Sequence, residues 1–129
     1  MSPEDLWRFL LVGYLFTVAV EAPVLVLFLS KHHELKRRLF AGLWLTACTY
    51  PVVVLVLPPL FEGSSRAAYL AVAETFAPAA ECALFYLAFG GQGGEGVTRR
   101  DLLTIVAANL LSFLAGEVLG AYGWFGLFR

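Results

Sequence analysis

Residues 39–60, LFAGLWLTACTYPVVVLVLPPL, form a stretch without a single charged side chain. A helix needs about 20 mostly apolar residues to cross the hydrocarbon core of a bilayer, so this stretch predicts a membrane-spanning helix. Residues 9–30, 67–89 and 102–125 have similar length and apolar character, and polar loops at 31–38, 61–66 and 90–100 separate the four segments. The predicted fold is all-α, a bundle of four transmembrane helices forming one domain over residues 1–129.

Composition supports this class. The 129 residues are 60% hydrophobic and 15% charged, whereas soluble domains are nearer ~45–50% apolar and ~25% charged. A net charge of −1 gives no basic surplus for a nucleic-acid backbone. Cys48 and Cys82 lie in apolar runs, which argues against a secreted disulfide scaffold. No nucleophile-elbow, zincin, P-loop or dinucleotide motif occurs, so we expect no enzyme, no cofactor and no nucleic-acid partner.

Basic residues predict the orientation, because cytoplasmic loops are enriched in Lys and Arg. Six lie in the first and third loops: Lys31, Lys36, Arg37, Arg38, Arg99 and Arg100. Only Arg8, Arg66 and Arg129 lie on the other side. We therefore expect a multi-pass cell-membrane protein with both termini outside. Trp7, Trp124 and Phe125 would lie at the outer interface, where amphipathic rings are enriched.

Four acidic residues fall inside the predicted spans: Glu21, Glu74, Glu81 and Glu117. A charged side chain at the bilayer centre costs about 2.5–3.5 kcal/mol on insertion scales, so each needs compensation. Because no Lys, Arg or His lies deep in any span, we expect no salt bridge within the monomer to neutralise them. The remaining ways to compensate these acids are protonation, a bound cation, contact with water, or burial against each other.

Depth and helical spacing group these acids with neutral polar residues. Glu21 and Glu81 lie near the middle of their spans, and Glu74 and Glu117 lie about four residues, or ~6 Å, nearer the outer side. Glu117 is about 80° from the face of Asn109, so it would face a neighbouring helix or a second subunit. The predicted ion-binding set is Glu21, Glu74, Glu81, Glu117, Asn109, Thr46, Thr49 and Ser112.

The spans also share short similarities, for which we consider two explanations: two duplicated hairpins, or chance resemblance between apolar helices. Residues 18–21 (VAVE) resemble 71–74 (AVAE), and Thr46-x-x-Thr49-Tyr50 resembles Asn109-x-x-Ser112-Phe113. Small residues at Gly116, Gly120 and Gly123 predict a close helix–helix contact, within the monomer or between subunits. Four spans are few to enclose a path, so we expect a homo-oligomer.

The first polar loop has two readings. Lys31, Lys36, Arg37 and Arg38 are suited to anionic lipid headgroups, although the same residues would be needed merely to set the topology. His32 and His33 are adjacent, and no Cys or carboxylate stands at a suitable spacing for a shared ion. We therefore expect no metal site in this loop.

The sequence resembles small multidrug-resistance exporters in its four spans, its small size and the glutamate in the middle of its first span. In that family the first-helix glutamate exchanges protons for cationic drugs. The resemblance covers residues 14–31 only. The other spans lack that family's pattern, and three further acids have no counterpart in it, so we do not infer membership. We expect a transporter or channel subunit that binds or conducts a cation or protons. The alternatives are a non-catalytic anchor or assembly subunit of a larger complex and, third, an intramembrane enzyme with acid–base carboxyls.

Overall fold

The computed structural model describes residues 3–121, and within this range every regular element is helical. Helix α1 covers Pro3–Phe28, α2 begins at Leu35, α3 covers Arg66–Phe89 and α4 covers Arg99–Ala121. A short 3₁₀ turn, Gln92–Gly94, lies in the loop before α4. All four helices are long and apolar enough to cross a membrane, which confirms the predicted all-α membrane fold. The predicted interface residues Trp124 and Phe125, and with them Gly123 and Arg129, lie outside the described residues.

Helix α2 changes its geometry halfway along. It is α-helical over Leu35–Pro51, π-helical over Val52–Val56 and α-helical again over Leu57–Leu60. Pro58 and Pro59 have no N–H to donate, so carbonyl groups one turn earlier lose their usual partners. The Val53 carbonyl accepts a hydrogen bond from the Tyr69 hydroxyl of α3 instead, at 2.7 Å. By contrast, Pro23 and Pro78 lie inside uninterrupted α-helices.

The helices form a four-membered ring in chain order. Each packs against its two neighbours, so that α1 contacts α2 and α4, and α3 contacts the same two helices from the opposite side. Helices α1 and α2 approach each other closely at Gly42, where an added Cβ would lie 2.9 Å from Cα and Cβ of Ala22. We call the end with residues 61–65 the single-loop end and the end with residues 29–34 and 90–98 the paired-loop end.

The apolar core occupies only one half of the bundle. It lies between the middle of the helices and the paired-loop end and consists of Leu25, Leu29, Ala41, Leu45, Phe85, Ile105 and Ala108. Outward-facing side chains are large and apolar, with Leu87 at 78% exposure and Leu11 at 61%. An apolar exterior around a small core is the pattern of a bundle solvated by lipid. The chain is a multi-pass membrane protein, and its orientation in the bilayer stays a prediction.

Candidate ion-binding site

Glu21 lies two turns before the end of α1 and points into the bundle, with 2% of its surface exposed. It bridges two other helices. The Thr46 hydroxyl of α2 lies 3.4 Å from its Oε1, and the Ser112 hydroxyl of α4 donates to its Oε2. One carboxyl group therefore ties α1 to both of its neighbours.

Glu81 makes the corresponding contacts from α3, and it is also 2% exposed. The Thr49 hydroxyl of α2 lies 2.8 Å from Oε2 of this carboxyl, and the Asn109 amide of α4 donates to Oε1 at 3.1 Å. The predicted central acids thus meet in one layer with all four neutral residues of the predicted set.

These bonds follow a two-fold pattern. Glu21 contacts the first residue of the 46–49 motif and the last residue of the 109–112 motif, whereas Glu81 contacts the last residue of 46–49 and the first of 109–112. Exchanging α1 with α3 and α2 with α4 reproduces the set. The partner of Glu21 in this pattern is Glu81 and not Glu74, the acid at the end of the segment 71–74 that resembles residues 18–21 in sequence.

The hydroxyl groups of the site can serve a carboxyl group in either protonation state. Each hydroxyl has one hydrogen and a second acceptor on its own helix: Thr46 lies 3.2 Å from the Gly42 carbonyl, Thr49 lies 3.1 Å from the Leu45 carbonyl, and Ser112 lies 3.0 Å from the Asn109 carbonyl. When the hydrogen points to that carbonyl, a lone pair faces the carboxyl group, which must then supply a proton. When it points to the carboxyl group, an ionised carboxylate is stabilised.

A cavity of about 570 Å³ begins at this layer and extends to the single-loop end. Glu21 and Glu81 lie at its inner end, Glu74 lines its wall, and Arg66 and Glu117 lie at its mouth. The rings of Tyr50, Tyr69 and Phe113 also line it. The central carboxyl groups therefore line a cavity whose volume is in the range of small-molecule sites.

At the mouth of the cavity, one prediction from the sequence is wrong. An Arg66 Nη atom lies 2.7 Å from Oε1 of Glu117, with 70% and 39% of the two side chains exposed. A salt bridge within the monomer thus pairs Glu117, contrary to the prediction that none would. The prediction missed it because Arg66 belongs to the loop in sequence, yet its long side chain reaches along the cavity wall. Glu117 faces α3 of its own chain, as one of the two predicted alternatives required.

The glycines near the end of α4 do not make the predicted close contact within the described chain, and the other predicted alternative, a contact between subunits, stays a prediction. A Cβ added at Gly116 or Gly120 would meet no described atom within 4 Å. Both glycines line the cavity and do not form a close helix–helix contact within the described part of the chain. The close contact occurs at Gly42 against Ala22 instead.

A second polar cluster closes the paired-loop end. Asp101, with no exposed surface, accepts hydrogen bonds from the backbone N–H groups of Ser30 (2.7 Å) and Thr98 (3.0 Å). His33 Nε2 lies 3.0 Å from Asp101 Oδ2, the same oxygen that accepts from the Thr98 N–H. The Ser30 and Thr98 hydroxyls lie 2.7 Å apart. These contacts join the two loops of this end beneath the apolar core.

Asp101 is the residue that the sequence reasoning missed. It supplies the carboxylate that His33 was predicted to lack, and His32, His33 and Asp101 lie close enough to hold a metal ion by distance. Each of these three side chains already has a hydrogen-bond partner within the protein, and the partner of His32 is the Gly96 carbonyl at 2.8 Å. The available signal was Thr98-x-x-Asp101, a capping box in which the Thr98 hydroxyl and the Asp101 carboxylate each accept from the other's N–H.

The four residues predicted to bind lipid headgroups have different surroundings. Lys36 and Arg37 are exposed at the start of α2. Lys31 donates to the Leu27 carbonyl at 2.8 Å, and Arg38 donates to the carbonyls of Val26 and His33. Two of the four therefore have their charged groups partly engaged by backbone oxygens.

Comparisons with protein-family models, curated proteins and solved structures found no match to this chain. The site has to be interpreted from its own chemistry.

Proposed function

We propose that this membrane protein transports a cation or protons, which bind at Glu21 and Glu81 and reach them from the single-loop end. The observation that carries this proposal is the pairing of two buried carboxyl groups at the inner end of an open cavity. The hydrogen-bond partners of these carboxyl groups are two threonines, a serine and an asparagine. None of these partners carries a positive charge.

Charge balance is the first argument. Burying an ionised carboxylate without a counter-charge is far more costly than burying a hydrogen-bonded neutral group. The basic side chain among the cavity-lining residues is Arg66, and it pairs with Glu117 at the mouth. A proton or a cation from solution therefore has to balance Glu21 and Glu81. The hydroxyls of Thr46, Thr49 and Ser112 can each donate either to a carboxyl group or to a carbonyl of their own helix. The site can therefore be stabilised both before and after such a charge binds.

The chemistry of the site narrows the ligand. Carboxylate, hydroxyl and amide oxygens are hard ligands that suit protons and ions such as Na⁺, Ca²⁺ or Mg²⁺. Neither cysteine lines the cavity, so the donor set gives no preference for a soft metal.

The shape of the bundle favours a carrier over an open pore. Toward the paired-loop end the cavity stops at an apolar layer that includes Leu25, Leu45 and Phe85. Beyond it, His33 and Asp101 join the loops. An ion at Glu21 and Glu81 would exchange with one side only, and release to the other side would require this half to rearrange, as alternating access demands.

The test is transport by the purified chain in liposomes, with H⁺, Na⁺, K⁺ and divalent ions offered in turn. Glu81→Gln keeps the shape of the side chain and lets its amide pair with Thr49 and Asn109, but it removes the titratable charge. We expect this variant, and Glu21→Gln, to lose transport by at least tenfold and to unfold like the wild type. Glu34→Gln makes the same chemical change at an exposed residue and should leave transport unchanged.

The alternative role, an assembly subunit, predicts a different result. If the chain is an assembly subunit of a larger complex, the liposomes will show no flux, and Glu81→Gln will alter recovery of the partner. Wild-type flux in both central variants would contradict the proposal outright.

A further inference from the structure

A second concavity lies on the outside of the bundle, between α1 and α4, where no helix of the described chain covers it. It has a volume of about 740 Å³ and is lined by Val24, Phe28, Arg100, Leu103, Thr104, Ala107 and Leu111. We call this surface the α1–α4 groove. Its walls are apolar apart from Arg100 and Thr104, and it is separate from the cavity that leads to Glu21 and Glu81.

The polar groups of the groove lie at one end of it. Arg100 Nε donates to the Phe28 carbonyl at 2.8 Å, which fixes the guanidinium above the apolar walls. The Thr104 hydroxyl donates to the Arg100 carbonyl at 2.7 Å and also lies near the Phe28 carbonyl. With Nε engaged, the terminal nitrogens of Arg100 are the part of the guanidinium left to meet a ligand. Arg99 adds a second exposed positive charge beside it.

The length of the groove matches one leaflet of a bilayer. From Arg100 to Leu111 the helix rises by ~16 Å at ~1.5 Å per residue, and half of the ~30 Å hydrocarbon core is ~15 Å. Arg100 lies at the paired-loop end, where the helix begins, and so falls at headgroup level when the apolar part of the groove is at acyl-chain level. Ala107 keeps the groove deep midway along, because its side chain is a single methyl group.

We propose that the α1–α4 groove binds one anionic phospholipid, with the phosphate at Arg100 and an acyl chain along Leu103, Ala107 and Leu111. A guanidinium recognises a phosphate through paired N–H donors, and basic pockets between transmembrane helices bind anionic headgroups. This site differs from the predicted headgroup residues of the first loop, since it combines a fixed charge with a groove for the chain.

The test uses native mass spectrometry of the full chain in detergent, with phosphatidylglycerol and phosphatidylcholine of identical acyl chains in equal amounts. We expect the wild type to retain one phosphatidylglycerol molecule in preference to phosphatidylcholine. Arg100→Gln removes the charge, and Ala107→Phe fills the groove while leaving the charge. Arg100→Gln should weaken retention about fivefold or more, the change that corresponds to one basic group near a membrane surface. Ala107→Phe should also weaken retention, because the acyl chain no longer fits the groove. Arg100→Lys should restore part of the preference.

Two matched controls separate the groove from general surface effects. Arg8→Gln removes an exposed positive charge near the start of α1, at the opposite end of the helix from the groove, and Ala47→Phe enlarges an exposed alanine on α2. Neither should change retention. Equal loss in all four variants, or unchanged retention in both groove variants, would overturn the proposal. Loss with Arg100→Gln alone would show a headgroup contact without a chain site, and a change in oligomeric state in place of lipid loss would identify the groove as an interface between copies. Both results would also overturn it.

Discussion

Replacing Asp101 by asparagine tests whether the paired-loop end is held closed by its buried carboxylate. Oδ1 accepts from the Ser30 N–H, and Oδ2 accepts from the Thr98 N–H and lies within hydrogen-bond distance of His33. Asparagine keeps the shape but has one acceptor oxygen. If that oxygen stays with Ser30, the new NH₂ group faces the Thr98 N–H, and two donors oppose each other in a buried place.

The cost follows from those contacts. A hydrogen bond to a charged group contributes about 1.5–3 kcal/mol, and at least one such bond is lost whichever way the amide is turned. A buried backbone N–H left without a partner adds about 1–3 kcal/mol. His33 recovers part of this by accepting from the NH₂ group in its other tautomer. We therefore expect Asp101→Asn to lower the free energy of unfolding by about 3 kcal/mol.

Reversible unfolding in mixed detergent micelles measures this change. Glu95→Gln is the matched control, because it converts an exposed carboxylate to an amide in the loop before α4, and it should leave the unfolding free energy unchanged within error. In a double-mutant cycle with His33→Ala, the coupling energy should exceed about 1 kcal/mol, as for residues in direct contact. Asp101→Asn with wild-type stability, or a coupling near zero, would refute the idea that this cluster holds the two loops together.

Two further predictions concern packing. Gly42→Ala should destabilise the bundle by about 1–3 kcal/mol, since its Cβ would lie 2.9 Å from Ala22. The matched variant Gly116→Ala has open space around the new Cβ, and it should be neutral or stabilising by up to about 1 kcal/mol through helix propensity. If Gly116→Ala were the more destabilising of the two, the packing described here would be contradicted. Tyr69→Phe should cost about 1 kcal/mol by removing the donor to the Val53 carbonyl, and unchanged unfolding would mean that the π-helical segment does not depend on it.

The sequence determined the class of fold, because the bilayer imposes a simple rule on it. A chain in hydrocarbon must satisfy its backbone polar groups within each span, so four apolar stretches of about 20 residues leave little choice but four helices. The identity of the polar residues that face inward was also readable, since carboxyl groups inside a span are too costly to face lipid.

Only the tertiary structure decided how these residues combine. Glu21 lies in one layer with Glu81 rather than with Glu74 because depth along α1 and α3, which run in the same direction, and not local similarity of sequence, sets which side chains meet. His33 meets Asp101 across 68 positions, and Arg66 meets Glu117 across 51; such contacts depend on helix rotation and loop length, which apolar patterns leave open. The one-sided cavity likewise arises from the uneven placement of core side chains, which pack one half of the bundle and leave small and polar residues to line the other.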